Sequence, residues 1–333
     1  MSATPRARVS VALGTHNGAR YLREQLESIL AQTHPVDEIV LSDDASGDGT
    51  VELAERVLAE HRSTDAATPA LVVLRNPVAL GVTRNFEQAV RACTQPLVAL
   101  CDHDDVWHAG RLARMAAQFE ARPELLLLHT DARLVDAQGQ PLGSTLFHAL
   151  EVQPTELNAI ANGHAFDVLM RRNLVTGATT MFRRSLLDVA LPFPPEWVHD
   201  EWLGAIAAAT GVMDVMPEPL IDYRQHASNQ IGARRLSMGE KIARAFAPRG
   251  DKHLGRARRA QALLERLQQL GDRVPATYVQ AQREKVAHQR FRADLPTPRW
   301  ARLAPIVAEA LRGRYGRFGR AGNAIVQDLF ERG

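Results

Sequence analysis

Cysteine is nearly absent from this chain of 333 residues, which has two, Cys93 and Cys101. They give neither a disulfide framework nor zinc-ligand spacing, which points to a reducing compartment. Long apolar runs are missing too: no stretch approaches the ~20 residues of a membrane span. The opening "MSATPRARVSVALGTHN" lacks an apolar core and a cleavage site, so it does not read as a signal peptide. These absences predict a cytoplasmic protein, with peripheral attachment to the inner face of the cell membrane as the one membrane role left. Internal repeats and low-complexity tracts are also lacking.

What is present is an ordinary globular composition, 45% apolar and 23% charged. The length suits one large domain with an appendage, or two domains. The net charge of +2 conceals an imbalance. Residues 232–333 hold 22 Lys and Arg against 9 Asp and Glu, a surplus of +13. Residues 1–231 hold 18 against 29, or −11. Such asymmetry predicts two functional units, the basic one meeting something anionic. The division is expected at 232/233.

Short apolar runs alternate with helix-like segments through the first 130 residues. "VSVAL", "EIVLS", "ALVVL" and "PLVALC" read as buried strands. Between them, "YLREQLESILAQT" sets Leu22, Leu26, Ile29 and Leu30 on one helical face. A helix is expected over about Val51 to His61, another in "VTRNFEQAVRAC" and another in "GRLARMAAQFEAR". The strand "ELLLLHTDARLVD" follows. This alternation predicts a mostly parallel sheet with helices on both faces. Beyond it, "LVTGATTMFRRSLLDVA" reads as a strand running into a helix, and "HDEWLGAIAAATG" as a helix with acids in its first turn. "PRGDKHLG", residues 248–255, reads as a loop ahead of the helical "RARRAQALLERLQQLG".

Ligands of such sheets sit at the carboxyl ends of the strands. There this sequence places "SDDASGDGT", with Asp43 and Asp44, and "LVALCDHDDVW", with Asp102, Asp104 and Asp105. Asp102 and Asp104, two apart, point to the same side of an extended chain. Like charges this close raise each other's pKa unless a cation sits between them. Hard divalent cations take oxygen ligands and keep positions for substrate phosphates, so a metal-bound diphosphate is a natural occupant. The plainer account is a solvated acidic loop, or turn and cap residues ahead of the following helices.

Taken in order, "VSVALGTHNGARYLREQLESILAQTHPVDEIVLSDDASGDGT", "NPVALGVTRNFEQAV", "LVALCDHDDVW", "GATTMFRRSLL", "HDEW" and "YRQHASNQIG" resemble the inverting family 2 glycosyltransferases of the GT-A fold. The resemblance covers roughly residues 7–232, and the ordered series is far more specific than any one motif. It implies a nucleotide-binding, Rossmann-like half over about 7–130, an acceptor half over about 131–232, and a C-terminal helical extension over 233–333. "DHDDVW" and "YRQH" are most similar to bacterial rhamnosyltransferase-like members, which build cell-surface polysaccharide. The implied donor is a dTDP- or UDP-linked sugar, and the implied acceptor a glycan or lipid-linked hydroxyl.

By that resemblance Thr15 and Asn17 border the nucleotide, and Asp44 matches the carboxylate that hydrogen-bonds the pyrimidine imide. Asp102 and Asp104 match the Asp-x-Asp motif. Asp104 is the first choice as ligand of a divalent cation, Mg²⁺ or Mn²⁺, and Asp105 the second. Asp200 matches the general base. His226 either closes over the diphosphate or metal, or is a packed loop histidine. His16 replaces the aromatic residue usual at its position, and Trp107 and Trp202 are either core or sugar platforms. The implied reaction is a single displacement: Asp200 takes the acceptor proton while cations neutralise the departing diphosphate.

A dehydrogenase is disfavoured because "LGTHNGAR" lacks the full G-x-G-x-x-G behind the first strand. A sugar nucleotidyltransferase is disfavoured by the lack of a Gly-rich phosphate loop carrying Arg or Lys. A non-catalytic membrane scaffold sits badly with the intact carboxylates. The extension is expected to be helical and basic, suited to an anionic leaflet, with packing on the main domain or on a second subunit as the plainer account. No reader motif supports nucleic acid.

Overall fold

The computed structural model describes residues 6–65, 67–226 and 248–331. The expected division at 232/233 and the end of "YRQHASNQIG" lie outside them. The described chain divides into two compact units. The first runs to Gly163 and resumes at Val175; the second joins His164–Leu174 to the helices from Lys252 onward.

The first unit is built on a nine-stranded sheet: β1 Val9–Thr15, β2 Glu38–Asp43, β3 Ala70–Arg75, β4 Leu97–Asp102, β5 Val106–Trp107, β6 Leu125–Val135, β7 Pro141–Thr145, β8 Thr180–Arg183 and β9 Val212–Arg224. Its order is β3-β2-β1-β4-β8-β6-β9-β5, with β7 added against β6. The β3-β2-β1-β4 block is parallel throughout. β8 runs antiparallel to both β4 and β6, so β6 points the same way as β4, and β9 is parallel to β6. Only β5, β7 and β8 oppose the common direction.

The strands form because their residues suit burial on two faces. Every residue of β1 and β2 is buried, as near-continuous apolar runs under helices require. The crossover helices α1 Ala19–Leu30, α2 Thr50–Arg62, α3 Val82–Ala92 and α4 Arg111–Ala121 each turn one apolar stripe inward; α1 buries Leu22, Leu26 and Ile29, and leaves Leu30 half-buried. Gly14 is needed where α3 crosses β1, since a Cβ there would stand 2.9 Å from the Phe86 ring.

The second unit is helical. Helices Lys252–Gln269 and Ala276–Ala293 pair through Ala260, Leu264 and Val286. A second small core joins Leu295, Ile306 and Tyr315. Helix Ala165–Arg171 belongs here, with Phe166 stacked on Tyr278 at 4.3 Å between ring centres. The segment expected as a loop over 248–255 differs: the helix already begins at Lys252, behind Asp251 as its N-terminal flanking residue. Asp251 makes no side-chain capping bond; the first turn is tied instead by Lys252 and His253, both paired to Glu331.

Candidate active site

The parallel register sets Thr15 opposite Asp43 and Gly14 opposite Asp102, so the carboxyl ends of β2, β1 and β4 lie side by side. One rim of this crevice is tied by its own side chains. Asp43 accepts from Thr15 Oγ1 at 2.7 Å and from the Ser46 backbone N–H at 2.9 Å. The resulting turn holds Ala45 at φ +62°. Asp44 faces the other way and clamps the loop ahead of α3, accepting from the N–H of Leu80 (2.6 Å) and Gly81 (2.9 Å) and from Asn76 Nδ2 (3.3 Å). Asn17, at φ +48°, accepts from the Gly47 N–H at 3.0 Å. Thr15, Asn17 and Asp44 are therefore brought to one rim. Both Asp44 oxygens already hold this loop, and a carboxylate has lone pairs left for a further donor.

The β4 end is different. Asp102 closes the strand, the chain bends through His103 and Asp104, and Asp105 turns into the protein, 2% exposed. The Asp105 Oδ1 accepts the Arg224 backbone N–H at 3.0 Å, while its Oδ2 is buried with no hydrogen-bond partner. Burial, together with the charges of Asp104 and Asp102, pushes the Asp105 carboxyl well above its ordinary range. Burial also pushes Asp102 up to about 8, with Asp104 and Asp200 adding to the effect. Four carboxyl groups thus feel one another in a poorly solvated place. Negative charge left uncompensated in that way is what a divalent cation relieves.

Of the cations at hand, Arg111 is buried nearby and only partly offsets the Asp105 charge, and its one hydrogen bond goes to the Ala178 carbonyl; the others are committed elsewhere. Arg224, at the end of β9, donates through Nε to the Asp104 carbonyl (2.7 Å) and through one terminal nitrogen to Glu24 (2.6 Å). Its guanidinium also lies 4.8 Å over the Tyr21 ring. His226 places Nε2 at 2.8 Å from Asp104 Oδ2 and stacks on Tyr21 at 5.1 Å. Of the two metal-ligand choices, Asp104 presents an oxygen at the crevice surface to a ring nitrogen, and Asp105 points inward. The oxygen donors present and His226 are of types that suit a hard or borderline cation, although no three of them are drawn together closely enough to hold an ion as they stand.

Asp200 sits in the first turn of helix His199–Thr210. Its Oδ2 accepts the Gly177 N–H and its Oδ1 the Glu201 N–H, both at 2.7 Å, which fixes the orientation of the carboxylate. Gly177 allows the close approach: a Cβ there would lie 3.0 Å from His199 Nε2 and 3.6 Å from Asp200 Oδ2. His199 is buried, stacked on Phe86 at 4.0 Å, with neither ring nitrogen hydrogen-bonded; burial lowers its pKa, so it is neutral.

The two tryptophans are core. Trp202 is fully buried and donates to the Ala190 carbonyl, and Trp107 lies 3.9 Å beneath the Arg111 guanidinium. Sequence reasoning missed Arg224, Tyr21 and Gly177 as parts of the site. Arg224 had a signal, its place beside His226 in "YRQH"; Tyr21 and Gly177 had none.

The family model described as "Glycosyl transferase family 2" matches residues 10–188. An uncharacterised glycosyltransferase of Nostoc sp. is 25% identical over 244 residues, 72% of this chain and 71% of that one. Among solved structures, residues 1–349 of TarS from S. aureus in complex with UDP-GlcNAc superpose with a TM-score of 0.56 at 16% identity, covering 97% of this chain and 89% of that one. The mannosyltransferase PcManGT from Pyrobaculum calidifontis, in complex with GDP-Man and Mn²⁺, gives a TM-score of 0.51 at 21% identity, covering 98% and 86%. At such identities the two structures establish the fold, which is of the GT-A type.

Proposed function

The chain belongs to glycosyl transferase family 2 and is a glycosyltransferase; from that premise we propose that it moves a sugar, L-rhamnose or a related hexose, from a dTDP- or UDP-linked donor to a hydroxyl of a glycan or lipid-linked acceptor, with inversion and with a divalent cation. The observation that carries the reading is the group Asp102, Asp104, Asp105 and Asp200, where burial first and neighbouring carboxylates second push Asp102 and Asp105 up. The sugar rests only on the resemblance of "DHDDVW" and "YRQH" to rhamnosyltransferase-like sequences. The UDP-GlcNAc bound to TarS and the GDP-Man and Mn²⁺ bound to PcManGT support the donor class and the metal.

In this mechanism Asp104 would hold the cation, with Asp102, Asp105 and His226 as the neighbouring donors. When bound, the cation supplies Lewis-acid neutralisation of charge on the leaving diphosphate. The rim of Thr15, Asn17 and Asp44 receives the nucleoside. Asp200, held by two backbone N–H groups, accepts the acceptor proton as the hydroxyl attacks the anomeric carbon from the opposite face. No covalent intermediate is needed.

The test is a screen of nucleoside-diphosphate sugars, with and without Mn²⁺ or Mg²⁺, reading the release of nucleoside diphosphate. Metal-dependent release from one donor is expected. Release of pyrophosphate instead would assign a nucleotidyltransferase, and metal-independent release would remove the cation from the scheme.

A further inference from the structure

The helix Leu303–Leu311 is built inside out. Its one charged residue, Glu309, is 1% exposed and accepts from His288 Nδ1 at 2.9 Å, with Arg312 and Arg314 also paired to it. Ile306 packs inward, but three of the helix's larger apolar side chains face water: Leu303 is 57% exposed, Val307 48% and Leu311 85%. Trp300, just before the helix, is 84% exposed. Positions 300, 303, 307 and 311 recur at helical spacing and form one stripe, and the exposed Ala304 and Ala308 fill it without interruption. Val326 and Phe330, one turn apart on helix Ala321–Phe330, are also exposed. A contiguous apolar face of this kind marks an interaction site.

The charge around it selects the partner. Between Leu295 and Glu331 all three acids, Glu309, Asp328 and Glu331, are buried. Arg299, Arg312, Arg317 and Arg320 are exposed in the same stretch. This part of the surface therefore presents apolar side chains, a tryptophan and an excess of guanidinium groups, with Asp294 exposed beside it and Arg317 paired to the half-buried Glu284. A second copy meeting the same face would bring like charge to like charge. An anionic leaflet meets all three features at once: acyl chains take the stripe, the headgroup boundary takes Trp300, and lipid phosphates take the arginines.

We propose that Trp300 and the outer face of Leu303–Leu311, rimmed by these arginines, dock the protein on an anionic lipid surface. This goes beyond the proposed transfer reaction and does not depend on it.

The full chain is mixed with vesicles of phosphatidylcholine alone, or of phosphatidylcholine with about one third phosphatidylglycerol, and floated on a gradient. At least ~10-fold more protein is expected to float with the anionic vesicles, with the difference shrinking as salt rises. Leu303→Asp/Val307→Asp/Leu311→Asp alters exposed positions only and is expected to abolish flotation at an unchanged Tm. Brominated acyl chains are expected to quench part of the tryptophan fluorescence, and Trp300→Phe to lose that part; this arm stands even if the triple variant folds poorly. Absent flotation of the wild type, equal flotation of the triple variant, or quenching unchanged in Trp300→Phe overturns the proposal. So does a dimer in sedimentation velocity that the triple variant dissolves while vesicles bind neither protein, which assigns the face to a second copy.

Discussion

Asp328 and Glu331 are as deeply buried as Asp105, but each has its counter-charge in place. Arg292 donates to both Asp328 oxygens, at 2.7 and 2.8 Å, and Tyr315 adds its hydroxyl at 2.7 Å. Glu331 is held by His253 at 2.8 Å and by Lys252. Burial pushes the Glu331 carboxyl up, yet these partners bring it below its ordinary value. At the end of β4 the balance goes the other way, and burial together with like charge keeps Asp102 and Asp105 high. Among the described residues, only His253, Asp328 and Glu331 are close enough to hold an ion, but Arg292 and Lys252 already do that work. A buried acid whose cation is a side chain belongs to the fold, and one whose cation has to come from solution belongs to a site.

The largest effect separating the two groups is expected from Asp104→Ala. Turnover should fall by ~1,000-fold, the scale of losing metal stabilisation of the leaving group, with Tm little changed. The assay is initial rate against metal concentration; normal turnover with an unaltered metal requirement would place Asp104 with the structural acids. Asp328→Ala should do the reverse. Leaving the Arg292 guanidinium buried and unpaired costs about 3–5 kcal/mol, read as a lower denaturation midpoint, while the activity of the folded fraction stays intact. Asp200→Asn should follow, ~100-fold slower in kcat with donor affinity held. A collapse of donor affinity with surviving chemistry would move Asp200 into the nucleotide site.

The pH dependence probes the same contrast without removing a partner. Asp102 is pushed up to about 8 by burial and its neighbours, against roughly 4 when unfolded. A carboxyl raised in this way contributes stability fully below the unfolded value, and loses it as pH rises through the folded one. Without metal, wild type and Asp102→Asn should share a Tm near pH 4, and the wild type should fall progressively behind towards pH 8. Saturating Mn²⁺ should reverse that sign, because the ion binds the ionised form. Parallel Tm curves across the range would mean that Asp102 carries no such burden.

Much of this site could be read from the sequence because its parts are local. An acidic run directly behind a buried strand fixes where Asp102 and Asp104 go, and "HDEW" puts Asp200 in the first turn of a helix. Asp105, the second choice as metal ligand, instead turns inward, where its Oδ1 meets the Arg224 N–H. What stayed hidden is long-range: Arg224 bonds Glu24 across 200 residues, and Tyr21 is held between Arg224 and His226. Neither has a periodic or spacing signature. The inverted helix was hidden for the same reason. "LAPIVAEAL" on its own predicts an apolar stripe turned inward, and only the distant His288, with Arg312 and Arg314, explains why Glu309 is buried beside Ile306.

The smallest expected effect decides whether Thr15 belongs to the fold or to the nucleotide rim. Its Oγ1 donates to Asp43 at 2.7 Å, and Asp43 keeps the Ser46 N–H and hydroxyl if that donor is lost. Thr15→Val preserves shape and removes one buried hydrogen bond, so it should cost about 1 kcal/mol, measured by urea denaturation. If Thr15 only pins Asp43, the donor KM should stay within about threefold of wild type, because that shift corresponds to less than a single hydrogen bond. A larger rise in KM at the same stability loss would mean that Oγ1 also meets the nucleotide. Asp43, otherwise satisfied within the fold, would then share its donor with the substrate, and the line between self-paired and externally paired carboxylates would run through this turn rather than past it.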